Sequence, residues 1–343
     1  MKNPNSNDTV FTVITGAEAE LIEPKPTEWI IENLFPMGFK TILAGTTGAN
    51  KSIYAMQEGM SIANDEDSFL GFDIMKKGLS VLFVDTEVGQ DELLKRYHRI
   101  KNNFTNWGKG IDRFNMLSKK GSFAYIWDEL KQHVEYYRPD VLYIDCLYNS
   151  VIDRDISKGP SVAKFTDQIT ELKESFDLTI RIVHHFNKGF HEYGLNMDRM
   201  SGASALQNWV EHLMLMTRTN SHELRLIRIA KARGVDFTDN YYGLNWNAEE
   251  FKLEMRGVVK NWAVLVLKDE KKYSWQQALE KMLNTFTTND WVDVVVNDLK
   301  MIKERQAKKW LNEIELLGMI KKIKHGHWEK TSLGFVEDII ELE

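Results

Sequence analysis

The segment that most constrains this chain runs from Thr41 to Ser52. Thr41-Ile42-Leu43-Ala44 reads as a short buried strand. It leads into Gly45-Thr46-Thr47-Gly48-Ala49-Asn50-Lys51-Ser52 and then into a helical stretch. The spacing is that of a phosphate-binding loop, G-x-x-x-x-G-K-[ST], with Asn50 where the second glycine belongs. Such a loop aims successive backbone N–H groups at phosphate, and the following helix adds its positive N-terminal dipole. Lys51 is then predicted to meet the β and γ phosphates, and Ser52 to hold Mg2+. Asparagine tolerates positive φ better than other non-glycine residues, so the loop can still form. The substitution bears on hydrolysis more than on binding. The plainer alternative is a glycine-bearing turn before a helix.

The surrounding pattern suits such a loop. Between about 40 and 235, apolar strand-like runs alternate with helical ones. The strands are expected at Thr41–Ala44, Leu79–Val84, Val141–Ile144, Thr179–Val183, Leu213–Met216 and Leu224–Ile229. The helices are expected at Lys51–Ala63, Gln90–Lys101, Phe123–Tyr137 and Val162–Phe176. Continuous Val/Ile/Leu runs separated by helices predict an α/β fold with a mostly parallel sheet covered on both faces. Ligands in such folds bind at the carboxyl ends of the strands. Residues 1–23 read as a tail with a short strand at Val10–Ile14. Asn240–Leu244 and Val264–Leu267 read as extra strands.

Two more strands end in acids. Val81-Leu82-Phe83-Val84 leads to Asp85-Thr86-Glu87, and Val141-Leu142-Tyr143-Ile144 leads to Asp145. One acid can hold Mg2+ and another can orient the attacking water. The competing reading is that an acid caps the next helix, and it weighs most on Asp85. The strand Ile180–Val183 ends in His184-His185. A neutral polar group there can touch the γ phosphate. Metal binding by the two histidines is disfavoured, because no partner cluster with zinc spacing accompanies them.

Bulk properties bound the rest. The 343 residues suit two domains, and 43% hydrophobic with 27% charged residues is ordinary for a globular chain. No apolar run is long enough for a membrane span, and MKNPNSNDTV lacks the apolar core of a secretory signal. A single cysteine, Cys146, excludes an internal disulfide and fits a cytoplasmic setting, with Cys146 as a buried small hydrophobe. The net charge of −6 is not that of a nucleic-acid coat. A local basic patch can still carry a field.

Residues from about 24 to 240 resemble the RecA-like ATPase core, in particular the RepA and DnaB hexameric helicase branch. The resemblance rests on the order Pro26–Ile31, the phosphate loop, Glu87, Asp145, His184-His185 and Ala230-Lys231-Ala232-Arg233-Gly234. It implies ATP and Mg2+ as ligands, with Gly45–Ser52 and Asp145 binding the nucleotide and Ser52 and Asp145 holding the ion. It implies Glu87 as the base and His185 as the γ-phosphate sensor. Lys231 and Arg233 match the pair that reaches into a neighbouring subunit's site of a ring, where a trans arginine neutralises transition-state charge. Without the resemblance these two are simply strand charges. Loops Asn149–Ser161 (Arg154, Lys158) and Asn187–Ala203 (Lys188, His191, Arg199) would face single-stranded DNA, with solvated loop charge as the alternative. The chain departs from the family at Asn50, and it has no room for an amino-terminal primase or collar domain of the DnaB sort. The domains are therefore expected at 24–273 and 274–343.

The second of these reads as a winged helix. Helices are expected at Trp275–Phe286, from Thr288 to Asp298, and from Lys303 to Leu317, with a hairpin at Met319–Lys330. Trp310, Leu311, Ile314, Leu317 and Ile320 form its apolar seam. Residues 300–330 carry nine basic and four acidic side chains in an otherwise acidic chain. Arg305, Lys308 and Lys309 could enter a duplex groove, with Lys322 and Lys324 on the backbone. Protein contact is the alternative use. The function expected is a hexameric DNA helicase or translocase in replication of a phage, plasmid or mobile element. The alternatives are a RecA-like recombination or loading ATPase, or a nucleotide-gated DNA-binding regulator with weak hydrolysis.

Overall fold

The computed structural model describes residues 14–119, 127–147, 159–186, 194–200, 203–260, 262–266, 275, 277–316, 319–331 and 340–341. Its centre is a large sheet. We label its main strands β1 (Lys40–Gly45), β2 (Val81–Asp85), β3 (Phe114–Ser118), β4 (Val141–Asp145), β5 (Thr179–His185), β6 (His212–Arg218), β7 (Leu224–Ala232), β8 (Tyr241–Asn247) and β9 (Lys252–Val259). The order across the sheet is β9-β8-β7-β6-β1-β5-β4-β2-β3, with the short strand Ile340–Glu341 outside β9. From β6 to β3 every pairing is parallel. β7, β8 and β9 are antiparallel additions.

The alternation along each parallel strand explains why both faces need cover. Leu43, Phe83 and Tyr143 point into one core with Tyr54, Met56 and Met60 of the helix Lys51–Ala63. Ile42, Leu82 and Leu142 point into the other, with Leu130, Val134, Val162, Phe165 and Ile169 of the helices Trp127–Tyr137 and Gly159–Phe176. Period-2 side chains on fully buried strands demand two covering layers. This is the RecA-like arrangement, and the ends of β1, β2, β4 and β5 that carry Gly45, Asp85, Asp145 and His185 lie along one edge.

Several expectations are corrected. Leu224–Ala232 is a strand, but it runs antiparallel to its neighbour, because only a five-residue turn separates it from β6. Phe114–Ser118, unread in the sequence, is the edge strand β3. Val264–Val266 belongs to the helix Trp262–Val266 rather than a strand. Val10–Val13 and Leu267 lie outside the described residues, and Ile14 is exposed coil.

The Lys51–Ala63 helix is pinned to the sheet by a buried ion pair. Arg181 of β5 donates to Glu58 through Nη2 at 2.8 Å and Nε at 3.0 Å, and Tyr143 donates to the same carboxylate at 2.9 Å. The Arg181 guanidinium also lies 4.0 Å from the Phe35 ring centre. The fork-to-carboxylate geometry pairs the two charges in the interior, while Arg181 Nη1 has no hydrogen-bond partner among the described residues.

His212, at the start of β6, is fully buried, and neither ring nitrogen has a hydrogen-bond partner among the described residues. Burial, then the nearby Arg181 charge, pushes its pKa well below 6.5. The folded protein therefore keeps it neutral while the unfolded chain protonates it. The unfolded state binds the extra proton, so stability falls as pH drops below the unfolded value. The expected slope from this residue is about 1.4 kcal/mol per pH unit below about pH 6.5. His212→Leu should flatten that part of the profile, as measured by urea unfolding between about pH 5 and 7.

A smaller C-terminal unit has its own core, formed by Trp275, Leu279, Phe286, Trp291, Trp310, Ile314 and Trp328 among others. Leu317, expected in its seam, lies outside the described residues. The strand Thr285–Thr287 pairs with His327–Lys330, which pairs with Ile320–Lys324. Phe286 thus sits in a strand, not at the end of a first helix. Thr287, just before the helix expected from Thr288, closes a capping box with Asp290. The next helix, Glu304–Leu316, shows Arg305, Lys308 and Lys309 to solvent while Ala307, Trp310, Leu311 and Ile314 face inward.

Candidate nucleotide site

β1 ends at Gly45, beneath the closest approach in the site. A Cβ on Gly45 would stand 2.0 Å from the Met216 carbonyl oxygen of β6, so only glycine fits. The loop then folds on itself, with Ala49 N–H donating to Thr46 O at 3.2 Å. The Thr46 hydroxyl meets the Thr217 hydroxyl at 3.3 Å and accepts the Arg218 N–H at 3.2 Å. These bonds tie the loop to β6.

Asn50 has φ 68 and ψ 28, the left-handed conformation that glycine usually supplies here. It caps the helix Lys51–Ala63, whose first N–H groups face the loop. Its side-chain oxygen accepts from Arg225 Nε at 2.9 Å. The motif's departure is therefore accommodated in backbone conformation and held by a partner 175 residues away.

Lys51 is 5% exposed, and its ammonium donates to Thr46 O at 2.9 Å. Burial lowers its pKa to about 8, partly offset by the negative groups Asp145 and Glu87. A buried cation beside a ring of loop amides is prepared for a polyphosphate.

Asp145, at the end of β4, is 1% exposed. Burial raises its pKa to about 7, opposed by a hydrogen bond from Ser52 and by the Lys51 charge. Its Oδ1 has no partner among the described residues. An orphaned carboxylate oxygen beside a serine hydroxyl is the donor set of a hard cation, so Ser52 and Asp145 fit Mg2+.

Asp85 and Glu87 differ in kind. Asp85 is buried and accepts the Val88 N–H at 3.0 Å, so it closes the turn after β2. Burial raises its pKa to about 6. Glu87 is exposed, and its charge reaches Lys51, Asp145 and His185. Donor atoms of Glu87, Cys146 and His185 all lie within 4.8 Å of one another. Register sets this meeting, since Gly45 pairs with His185 and Asp85 with Asp145. Burial, then the Lys51 charge, lowers the His185 pKa, so the imidazole is neutral at neutral pH.

Lys231 and Arg233 lie elsewhere. Lys231 pairs with Leu213, and Arg233 donates its N–H to Glu211 O, at the amino end of β6. Gly45 pairs with Met216, five residues further along. At about 3.3 Å per residue, Arg233 is roughly 17 Å along the strand from the loop of its own chain. Lys231 Nζ donates to Gln207 O and Arg233 Nη2 to Asn208 O at 3.0 Å.

Arg199 is 6% exposed, donates to Gly194 O, and packs 4.6 Å from the Phe186 ring centre. In this conformation its guanidinium is held inside rather than offered to solvent. Lys188, Arg154, Lys158 and His191 lie outside the described residues. Arg305, Lys308, Lys309, Lys322 and Lys324 are all exposed. Lys308 pairs with Glu304 at 2.6 Å, and Lys322 lies 5.6 Å from the Trp328 ring centre.

Sequence reasoning missed Arg218 and Arg225. Arg218 lies against Gly48 and Arg225 against Asn50, beside a cavity of about 360 Å3 lined also by Thr219, Asn220, Ser221 and His222. No local motif marks them, because their relation to the loop is made only by sheet pairing. Cys146 is buried as expected, but its place beside Glu87 and His185 also comes from register alone.

A family model described as an AAA domain matches residues 11–190, just over half the chain, from before the loop to beyond His185. No curated protein matches the sequence.

Proposed function

From the premise that this chain belongs to the AAA domain family and is an ATPase of the P-loop type, we propose that it is a ring-forming, DNA-dependent ATPase of the RepA-like helicase or translocase kind. The observation that carries the ATPase chemistry is the convergence of Lys51, Ser52, Asp145, Glu87 and His185 at one sheet edge. Lys51 and the loop amides bind the polyphosphate, and Ser52 and Asp145 hold Mg2+. The ion supplies charge neutralisation on the phosphates when bound. Glu87, exposed and beside His185, takes the proton of the attacking water. The water oxygen bonds to the γ phosphorus as the bond to the β-phosphate oxygen breaks, giving ADP and phosphate. In this reading neutral His185 donates to the γ phosphate, which its place beside Glu87 supports.

The position of Lys231 and Arg233 supports a ring. Arg233 lies roughly 17 Å along the strand from its own loop, and Lys231 Nζ is turned to Gln207 O, so the reading in which the pair serves catalysis uses a second copy of the chain. Particle size by light scattering should rise with a non-hydrolysable ATP analogue, and Lys231→Ala/Arg233→Ala should abolish turnover without abolishing nucleotide binding. A parent that stays monomeric and hydrolyses ATP refutes the ring.

DNA contact is supported by the basic surface of the C-terminal unit, which we read as a winged helix. Arg305, Lys308 and Lys309 share one exposed helix face, and Lys322 and Lys324 lie on the hairpin. Charge reversal of Lys309, Lys322 and Lys324 should lower DNA affinity by at least about tenfold at low salt. It should also reduce the salt slope by about one for each phosphate that no longer meets a cation. ATP turnover measured with and without single-stranded DNA tests the DNA dependence. An unchanged rate favours the regulator reading, in which ATP acts as an assembly signal.

A further inference from the structure

The loop's departure from its motif and the unread arginine pair belong to one device. Asn50 occupies a left-handed backbone position, and its side-chain oxygen is held by Arg225 Nε at 2.9 Å. Arg225 is 5% exposed. Its Nη1 donates to His222 O at 2.8 Å and to Leu224 O at 3.1 Å, so the guanidinium is fixed from the turn side as well. Arg225 pairs directly with Arg218 across β6 and β7, and the Arg218 side chain lies against Gly48. Like charges directly opposite on a sheet are destabilising. No carboxylate pairs with either arginine among the described residues. Burial, then repulsion from Arg218, lowers the Arg225 pKa.

A near-buried cation without a counter-charge persists where it has another use. Its Nε–H goes to the one residue that breaks the loop's motif. We propose that Arg225 is a positioning residue for nucleotide binding, holding Asn50 left-handed so that an asparagine can stand in for the glycine of the phosphate loop. This inference rests on the nucleotide site proposed above and adds a residue from the far end of the core. Glycine needs no such strut, because it adopts that conformation freely. The strut and the glycine are therefore alternatives, and their effects must be non-additive.

The test is a double-mutant cycle read by calorimetry with Mg·ATP on the full chain. Arg225→Ala should weaken binding by about tenfold, the worth of one charge-assisted hydrogen bond. Arg225→Lys should weaken it about as much, because it keeps the charge but loses the Nε–H. Asn50→Gly should change affinity by less than about threefold. Asn50→Gly/Arg225→Ala should bind as Asn50→Gly does, a rescue that a merely structural arginine would not allow. The proposal is overturned if Arg225→Ala binds like the parent, or if the double variant binds as weakly as Arg225→Ala. It is equally overturned if Arg225→Lys binds like the parent, since charge alone is then the cause. Thermal melting without nucleotide separates lost affinity from lost folding, and the rescue by Asn50→Gly holds even if Arg225→Ala is destabilised. No heat from the parent sinks the nucleotide site itself, whereas a binding parent with an unresponsive cycle sinks this inference alone.

Discussion

Glu87→Gln is expected to lower ATP turnover by at least about a hundredfold while leaving the Mg·ATP dissociation constant within a few-fold of the parent. General-base catalysis contributes about two to four powers of ten, so loss of the base alone accounts for an effect of this size. The side chain is exposed and lies beside His185. Glutamine keeps the shape and removes the proton acceptor. Asp85 is the rival base by sequence, but its carboxylate accepts the Val88 N–H and shapes the turn. Asp85→Asn should therefore act on folding or on the position of Glu87, not on the chemical step alone. If single-turnover kinetics show Glu87→Gln as fast as the parent, the base is elsewhere.

Lys51→Ala should remove most of the affinity for ATP, by about a hundredfold or more. Each hydrogen bond to a charged group contributes about 1.5–3 kcal/mol, and the proposed nucleotide site gives Lys51 two such contacts, to the β and γ phosphates. Its burial gives a second readout. In the free protein its pKa is lowered to about 8, so above that pH the side chain loses its proton. Bound polyphosphate favours the ammonium and raises the pKa again. Affinity should thus be full below about pH 8 and fall as pH rises, by up to about tenfold per unit. Calorimetry in buffers of different ionisation enthalpy should show proton uptake on binding near pH 8. In Lys51→Ala that uptake should vanish. Persistent uptake in the variant would assign the titration to another group.

The chemistry-bearing positions differ in how they can be recognised. Lys51, Ser52 and the acids Asp85, Glu87 and Asp145 follow from local order, because strand, loop and helix are encoded within a few residues of each; the choice of Glu87 over Asp85 comes from the family resemblance. The helices Lys51–Ala63 and Gln90–Lys101 match their sequence expectation residue for residue. Period and capping are local signals. Errors arise where distance along the chain matters. The direction of Leu224–Ala232 and the existence of Phe114–Ser118 as a strand depend on what lies beside them. Buried Arg199 reads as a loop charge in the sequence because nothing near it announces Phe186 as its partner.

The sequence by itself determined the α/β class, the phosphate loop and the acids at the strand ends, since each is written in consecutive residues whose period or spacing has few physical solutions. Only the tertiary structure decided which residues share the site. Sheet register set His185 opposite Gly45 and brought Arg225 to Asn50 across 175 residues. It also carried Lys231 and Arg233 away from the loop of their own chain. A hydrogen bond or a charge acts over a few ångströms, and which distant segments come that close is fixed by strand order and pairing, not by neighbours along the chain.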